Sequence, residues 1–148
     1  MKIGLASDHR GYRAKEMLKE YLDDYNIIDY GTDSDESTDF PIYATRLGKA
    51  IVNHDVDLGI AICGTGIGMS ICLNKIKGVY CAKVSNESEA ILCKSHNNAN
   101  VIAMSEEIDH EVMKKIVKLL IICLLITGCG TKYETIDSNK AMTIINED

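Results

Sequence analysis

The sequence is poor in the basic side chains that bind nucleic acids. Its 148 residues include only three arginines, Arg10, Arg13 and Arg46, and no block rich in lysine and arginine. The formal net charge is −6, and a negative chain without a basic patch does not attract a phosphate backbone. We therefore expect no nucleic-acid partner. The same scarcity leaves few guanidinium groups for holding a small phosphorylated ligand.

Long hydrophobic runs and metal-binding patterns are also missing. The most apolar run, residues 119–126, has eight residues, whereas a helix that spans a bilayer needs roughly 20. Six cysteines are present, but none forms a C-x-x-C pair and no histidine has a metal-ligand spacing to them. These features predict reduced thiols, no metal, no cofactor and no membrane partner. The first residues lead into a strand without a signal-peptide pattern, so we expect a cytoplasmic protein.

The sequence does contain a regular alternation of strand and helix patterns. Predicted strands cover residues 2–7, 25–30, 58–62, 78–84 and 100–104. The first predicted helix begins at residue 12, and three others cover 43–53, 69–75 and 109–122. One more predicted helix starts after the capping residues 85–88 and ends at the two asparagines 97–98. The loop 32–43, which holds the single proline, is interpreted mainly as a solvated connection. This order predicts an α/β protein with a three-layer α/β/α domain over residues 1–148 and a five-stranded parallel sheet.

A glycine-rich loop follows the third predicted strand. The apolar run 58–62 is typical of a strand buried on both faces of a parallel sheet, and Cys63 ends it. Gly64, Gly66 and Gly68 come next, so backbone N–H groups and the start of a helix would point at one place. Such a place suits an oxyanion and favours the thiolate of Cys63, which could then act as a base or nucleophile. The alternative is a simple turn beside a core cysteine.

Polar residues also follow the first predicted strand, in the order Asp8, His9, Arg10 and Gly11. If strands one and three are neighbours with their helices on opposite faces, the crevice between them is a ligand-binding switch point of an open α/β sheet. Asp8, His9 and Cys63 would meet there. Without further information, Asp8 and His9 could equally form only a turn.

Three stretches resemble one family. They are SDHRGY at residues 7–12, CGTGIGMS at 63–70 and SHNNANV at 95–101. In this order they are similar to ribose-5-phosphate isomerase B and the related galactose-6-phosphate isomerase subunits, over residues 1 to about 118. The resemblance implies a metal-free aldose–ketose isomerase on a Rossmann-like fold, usually a dimer with active sites between subunits. Its ligand would be a sugar phosphate.

The resemblance also implies roles for individual residues. Cys63 would be the base that moves a proton between C1 and C2, and Thr65 would help to stabilise the enediolate. His96 would assist opening of the sugar ring, although on its own it is more typical of a helix end. Backbone N–H groups would bind the enediolate at Gly64, Gly66, Ile67 and Gly68. Side chains that would bind substrate are Asp8, His9, Tyr43 and Asn97.

The sequence departs from the family at its phosphate-binding arginines. The usual G-G-R after strand five is Ser105-Glu106-Glu107 here, and the usual G-G-R-H-x-x-R near the end is absent. We interpret Arg10 as the replacement substrate-binding cation, against the alternative of a solvent-facing arginine. An atypical extension begins at about residue 119, and its apolar part, 119–130, predicts a subunit contact.

Three hypotheses follow. The first is a sugar-phosphate isomerase that acts as a homodimer or homotetramer, or as a hetero-oligomer with a related subunit. The second is an isomerase of an unphosphorylated sugar, which the missing arginines favour. The third is a non-catalytic sugar-phosphate-binding partner subunit.

Overall fold

The computed structural model describes residues 1–127, in which strands and helices alternate. The strands are β1 Lys2–Ser7, β2 Asn26–Asp29, β3 Leu58–Cys63, β4 Cys81–Lys83 and β5 Val101–Ser105. The helices are α1 Tyr12–Tyr21, α2 Phe40–Val52, α3 Ile67–Asn74, α4 Glu87–Ser95 and α5 His110–Thr127. Cys129, the rest of the predicted extension and the C-terminal tail lie outside the described residues. The single domain over 1–148 therefore stays a prediction.

The five strands form one parallel sheet in the order β2-β1-β3-β5-β4. One face of the sheet packs against α1, α4 and α5, and the other packs against α2 and α3. The predicted α/β fold with a five-stranded parallel sheet is confirmed.

The central strand β3 is buried along its whole length because helices cover both of its faces. Ile60 and Ile62 belong to the core on the side of α1 and α5, whereas Ala61 and Cys63 belong to the core on the side of α2 and α3. This alternation is the two-residue repeat of a strand. It turns the Cys63 side chain toward α2 and α3 at the carboxyl end of the sheet.

The predicted ends differ most from the structure in α2, β4 and α5, while α3 begins at Ile67 instead of residue 69. Helix α2 begins at Phe40 rather than at residue 43, because Pro41 occupies its first turn, where a proline costs no hydrogen bond. Strand β4 covers only three residues instead of 78–84, since Gly78 has a φ of 95° and the Tyr80 N–H donates to the Asn100 side chain. Helix α5 continues to Thr127 instead of ending near 122, and its last turn exposes Leu125 and Ile126.

Despite its apolar end, α5 does not have the length and hydrophobicity of a bilayer-crossing helix, and neither does any other helix within residues 1–127.

A buried lysine fastens α1 to the end of β2. The Lys15 side chain is 1% exposed and makes ion pairs with Glu16 and Asp29. Lys19 contacts the same two carboxylates, at 3.2 and 2.9 Å. Burial alone would raise the pKa of Asp29, but hydrogen bonds from Lys15 and Lys19 outweigh it and hold that pKa below its usual value of 3.8.

Replacing Asp29 by asparagine is expected to lower the free energy of unfolding by roughly 2 kcal/mol, because Lys15 stays buried with one anionic partner fewer. The pKa of Asp29 is lower in the folded state than its usual value of 3.8. The contribution of Asp29 to stability is therefore fully present above pH 3.8 and is lost as the pH falls through the lower folded-state pKa. Urea unfolding of wild type and Asp29→Asn at pH 7 and pH 3 measures both effects. The control is Asp35→Asn, which removes the exposed pair with Arg13 and should change stability by less than about 0.5 kcal/mol. Equal effects of the two substitutions would contradict the prediction.

Candidate active site at the carboxyl edge of the sheet

The predicted neighbours β1 and β3 are adjacent, with Ser7 opposite Ile62 at their carboxyl ends. After β1 the chain enters α1 on one face of the sheet, and after β3 it enters α3 on the other. The crevice expected between diverging connections is therefore present. Gly11 allows the first turn to lie directly on the end of β3, because a Cβ there would be 2.5 Å from the Ile62 carbonyl oxygen.

The loop after β3 directs a backbone amide at the Cys63 sulfur. Gly66 has a φ of 75°, and its N–H donates to Cys63 Sγ at 3.2 Å. Cys63 is 4% exposed, so bulk water is largely excluded from the sulfur. The Ile67 N–H donates to Thr65 Oγ1 at 3.2 Å, which leaves the Thr65 hydroxyl proton for another acceptor. The loop therefore fixes both the Cys63 sulfur and the Thr65 hydroxyl with backbone N–H groups.

Gly66→Ala is expected to destabilise the protein by roughly 2 kcal/mol, because a left-handed backbone is unfavourable for a residue with a Cβ. The added Cβ would also lie 2.9 Å from the Met104 carbonyl carbon. Gly64→Ala is the matched control, since a Cβ there meets only Arg10 side-chain atoms at 3.8–4.0 Å. Urea unfolding compares the two variants. A stability loss as large for Gly64→Ala as for Gly66→Ala would contradict the assigned backbone requirement.

A second part of the site joins the turn after β1 to the start of α2. His9 Nδ1 lies 3.0 Å from the Thr38 carbonyl oxygen and 3.2 Å from the Thr38 N, so it donates or accepts according to its tautomer. Thr38 Oγ1 is 3.1 Å from the Tyr43 hydroxyl. The Phe40 ring lies against Gly68, at 3.0 Å from where a Cβ would be. The end of the 32–43 loop is thus a wall of the crevice, and Thr38 is a site residue that the sequence interpretation missed.

Asp8 holds the turn that carries His9. It is 6% exposed, and its Oδ1 accepts the N–H groups of Arg10 at 3.0 Å and Gly11 at 3.1 Å. This is the local turn that an aspartate at a strand end favours. Contact of the Asp8 carboxylate with substrate stays a prediction.

Arg10 lies on the glycine loop but is not free. Its side chain passes over Gly64, while its guanidinium makes an ion pair with Glu106. The sequence placed Arg10 near the ligand, and the structure puts it beside Cys63 and Gly64. The partner Glu106, 96 residues away in the sequence, was not foreseen.

A cleft of about 340 Å³ opens on the other side of the same loop. Its lining residues are Thr65, Ile67, Lys83, Ser105, Glu107 and Ile108. Ser105 Oγ donates to the Gly64 carbonyl at 2.7 Å and accepts the Glu107 N–H at 3.1 Å, so it fixes the loop against the end of β5. The sequence interpretation missed Ser105 and Lys83, although both lie at or beside the carboxyl ends of strands.

His96 and Asn97 are not in this crevice. They follow the end of α4 and precede β5, whose first residue Val101 lies opposite Gly59 at the amino edge of the sheet. Cys63 is opposite Ser105 at the carboxyl edge, and the four residue steps from Gly59 to Cys63 span about 13 Å. His96 and Asn97 are both exposed. Cys63 therefore does not meet His96 or Asn97 of its own chain, and the roles of these two residues in ring opening and substrate binding stay predictions.

Other described cysteines lie in different surroundings. Burial raises the pKa values of Cys81 and Cys93 to about 12, so these thiols stay protonated at neutral pH. Within residues 1–127, no three His, Cys, Asp or Glu side chains are grouped to hold a metal ion.

The model of one protein family, described as Ribose/Galactose Isomerase, matches residues 3–134 of the sequence. The chain belongs to this family. The family resemblance expected from the three sequence stretches is therefore confirmed.

Two kinds of relative are equally similar to this Ribose/Galactose Isomerase family member. Ribose-5-phosphate isomerase B of Escherichia coli is 40% identical over 119 residues, which cover 78% of this chain and 80% of the relative. Galactose-6-phosphate isomerase subunit LacA of Staphylococcus epidermidis is 40% identical over 117 residues, which cover 78% and 81%.

A solved structure within the Ribose/Galactose Isomerase family has a similar fold. Ribose-5-phosphate isomerase B of Mycoplasma genitalium, with bound ribulose 5-phosphate, superposes with a TM-score of 0.76 at 33% identity. The match covers 99% of this chain and 92% of the other.

Proposed function

We propose that the chain is a sugar-phosphate aldose–ketose isomerase that interconverts ribose 5-phosphate and ribulose 5-phosphate, or a related pentose or hexose phosphate. The names of the Escherichia coli and Mycoplasma genitalium relatives support this class of reaction. The observation that carries the proposal is the Cys63 sulfur, which accepts an N–H at the end of β3 beside the crevice. In this proposal the Cys63 thiolate is the base, and the N–H groups of the glycine loop bind the oxyanion of the substrate.

In the proposed reaction the Cys63 thiolate removes the proton from C2 of the open-chain aldose. The C2–H electron pair then forms the C1–C2 double bond, and the carbonyl oxygen becomes the negative oxygen of an enediolate. The Cys63 thiol returns the proton to C1, while a proton moves between the two oxygens. The loop N–H groups and the Thr65 hydroxyl stabilise the enediolate, and one such donor contributes on the order of 3 kcal/mol.

We propose further that a second copy completes the site, as a homodimer or homotetramer. His96 and Asn97 cannot reach Cys63 of their own chain, but these residues of a second copy could face it. The apolar side chains Ile67 and Ile71 on α3, beside the loop, are 55% and 56% exposed, which suits burial against another subunit. A hetero-oligomer with a related subunit is the alternative assembly. The reduced cysteines support a cytoplasmic enzyme.

A panel of substrates tests the proposed reaction. The purified chain is assayed with ribose 5-phosphate, several hexose 6-phosphates and the corresponding free sugars. Turnover of a phosphorylated aldose supports the proposal, and no turnover of any sugar phosphate would contradict it.

The second candidate is the isomerisation of an unphosphorylated sugar. It is favoured by Glu107, which lines the cleft beside Thr65 and would repel a phosphate there. A higher kcat/KM for a free sugar than for its phosphate would select this candidate.

A further inference from the structure

One ion pair lies across the candidate catalytic loop. Arg10 Nε donates to Glu106 Oε1 at 2.6 Å, and a terminal guanidinium nitrogen contacts the same oxygen. Arg10 follows β1 and Glu106 follows β5, the two strands on either side of β3. The pair therefore bridges the end of β3, where Cys63 lies.

The backbone of each partner is held by a hydrogen bond, and for Glu106 that bond is to Cys63 itself. The Glu106 N–H donates to the Cys63 carbonyl at 2.9 Å, and the Arg10 N–H donates to Asp8 Oδ1 at 3.0 Å. The Arg10 side chain passes within 4.0 Å of the Cβ position at Gly64. The charged groups nevertheless remain open to solvent, with side chains 58% exposed for Arg10 and 25% for Glu106. A ligand in the crevice could reach the guanidinium.

The geometry points to Glu106 as a displaceable substitute for the substrate phosphate. In the free enzyme its carboxylate occupies the guanidinium edge of Arg10 that a phosphate takes on binding, since both anions accept the same N–H donors. A phosphate carries more charge and more acceptor oxygens than a carboxylate, so it can replace Glu106. Glu106 is then a specificity-determining residue that weakens phosphate binding through competition. This inference rests on the proposed sugar-phosphate substrate.

Glu106→Gln tests the displacement. Without the competing carboxylate, the KM for ribose 5-phosphate should fall roughly two- to fivefold, the upper part of the range for one solvent-exposed ion pair. The KM for free ribose should stay the same. Isothermal titration with inorganic phosphate should show a Kd lowered by the same factor, independently of turnover. The matched control, Asp35→Asn, frees Arg13 from its carboxylate at 3.3 Å and should change neither constant.

The same substitution in an Arg10→Met background separates displacement from simple repulsion. Displacement requires Arg10, so Glu106→Gln should then have no effect on phosphate affinity. An equal gain in both backgrounds, or no gain with Arg10 present, would overturn the inference.

Lys83 is a second cation beside the loop, and it provides a further check. If Lys83→Met weakens phosphate binding and Arg10→Met does not, phosphate binds in the cleft and the inference is wrong. If the expected phosphate effects are found but no sugar phosphate is turned over, the assignment of Glu106 stands and the proposed reaction fails.

Discussion

Cys63→Ala is expected to reduce kcat for ribose 5-phosphate by a factor of about 10³, within the range that a positioned general base contributes. The methyl group of alanine cannot accept a proton. Deuterium exchange from solvent into C2 of the substrate measures the same step without requiring the product to form. Both the kcat and the exchange rate should fall together.

Two further variants show whether the loss of activity is due to the Cys63 thiol itself. Cys63→Ser preserves an acceptor for the Gly66 N–H, but a hydroxyl is a much weaker source of anion than a thiol at neutral pH, so it should be nearly as inactive as alanine. Cys72→Ala removes a thiol from the neighbouring helix α3 and should retain near-wild-type kcat. Retention of wild-type exchange in Cys63→Ala would refute the assignment of Cys63 as the base.

The parts of the fold that depend on local pattern were predictable. The apolar run 58–62 is typical of a strand covered on both faces, and the glycine-rich loop after it indicates where the chain turns. If β1 and β3 are neighbours, their carboxyl ends lie side by side at a switch point of the parallel sheet. That is why Asp8, His9 and Cys63 were predicted at one edge of the sheet, where the structure has them.

The contacts that depend on residues far apart in the sequence were not predictable. Nothing in the loop 32–43 distinguishes Thr38, whose importance arises from folding against His9, 29 residues earlier. Likewise, the polar sequence around Glu106 is typical of a solvent-exposed turn. Glu106 reaches Arg10 only because β1, β3 and β5 are neighbours in the sheet. The same topology separates His96 from Cys63 of its own chain. A helix that follows a parallel strand returns to the amino edge, so the end of α4 is necessarily remote from Cys63.

Because His96 lies far from Cys63 of its own chain, we expect two inactive variants to recover activity when they form mixed dimers. Cys63→Ala and His96→Gln should each have low activity alone, with a loss of roughly 10²-fold or more for an acid–base residue. If each site combines Cys63 of one copy with His96 of the other, a mixed dimer has one site with both substitutions and one intact site. Random mixing in a two-fold dimer makes half of the dimers mixed, so about one quarter of wild-type activity should return.

The mixing experiment also tests the competing arrangement directly. If His96 acted on Cys63 of its own chain, every site in a mixed dimer would carry one substitution, and activity would stay at the level of the separate variants. Differently tagged chains, unfolded together and refolded, allow the mixed dimers to be isolated before the assay. A matched mixture of Cys63→Ala with wild type should retain half of the activity at equal proportions, which shows that exchange itself is harmless. Isolated mixed dimers without recovered activity would exclude a site shared between subunits, because in these dimers one shared site would have to be intact.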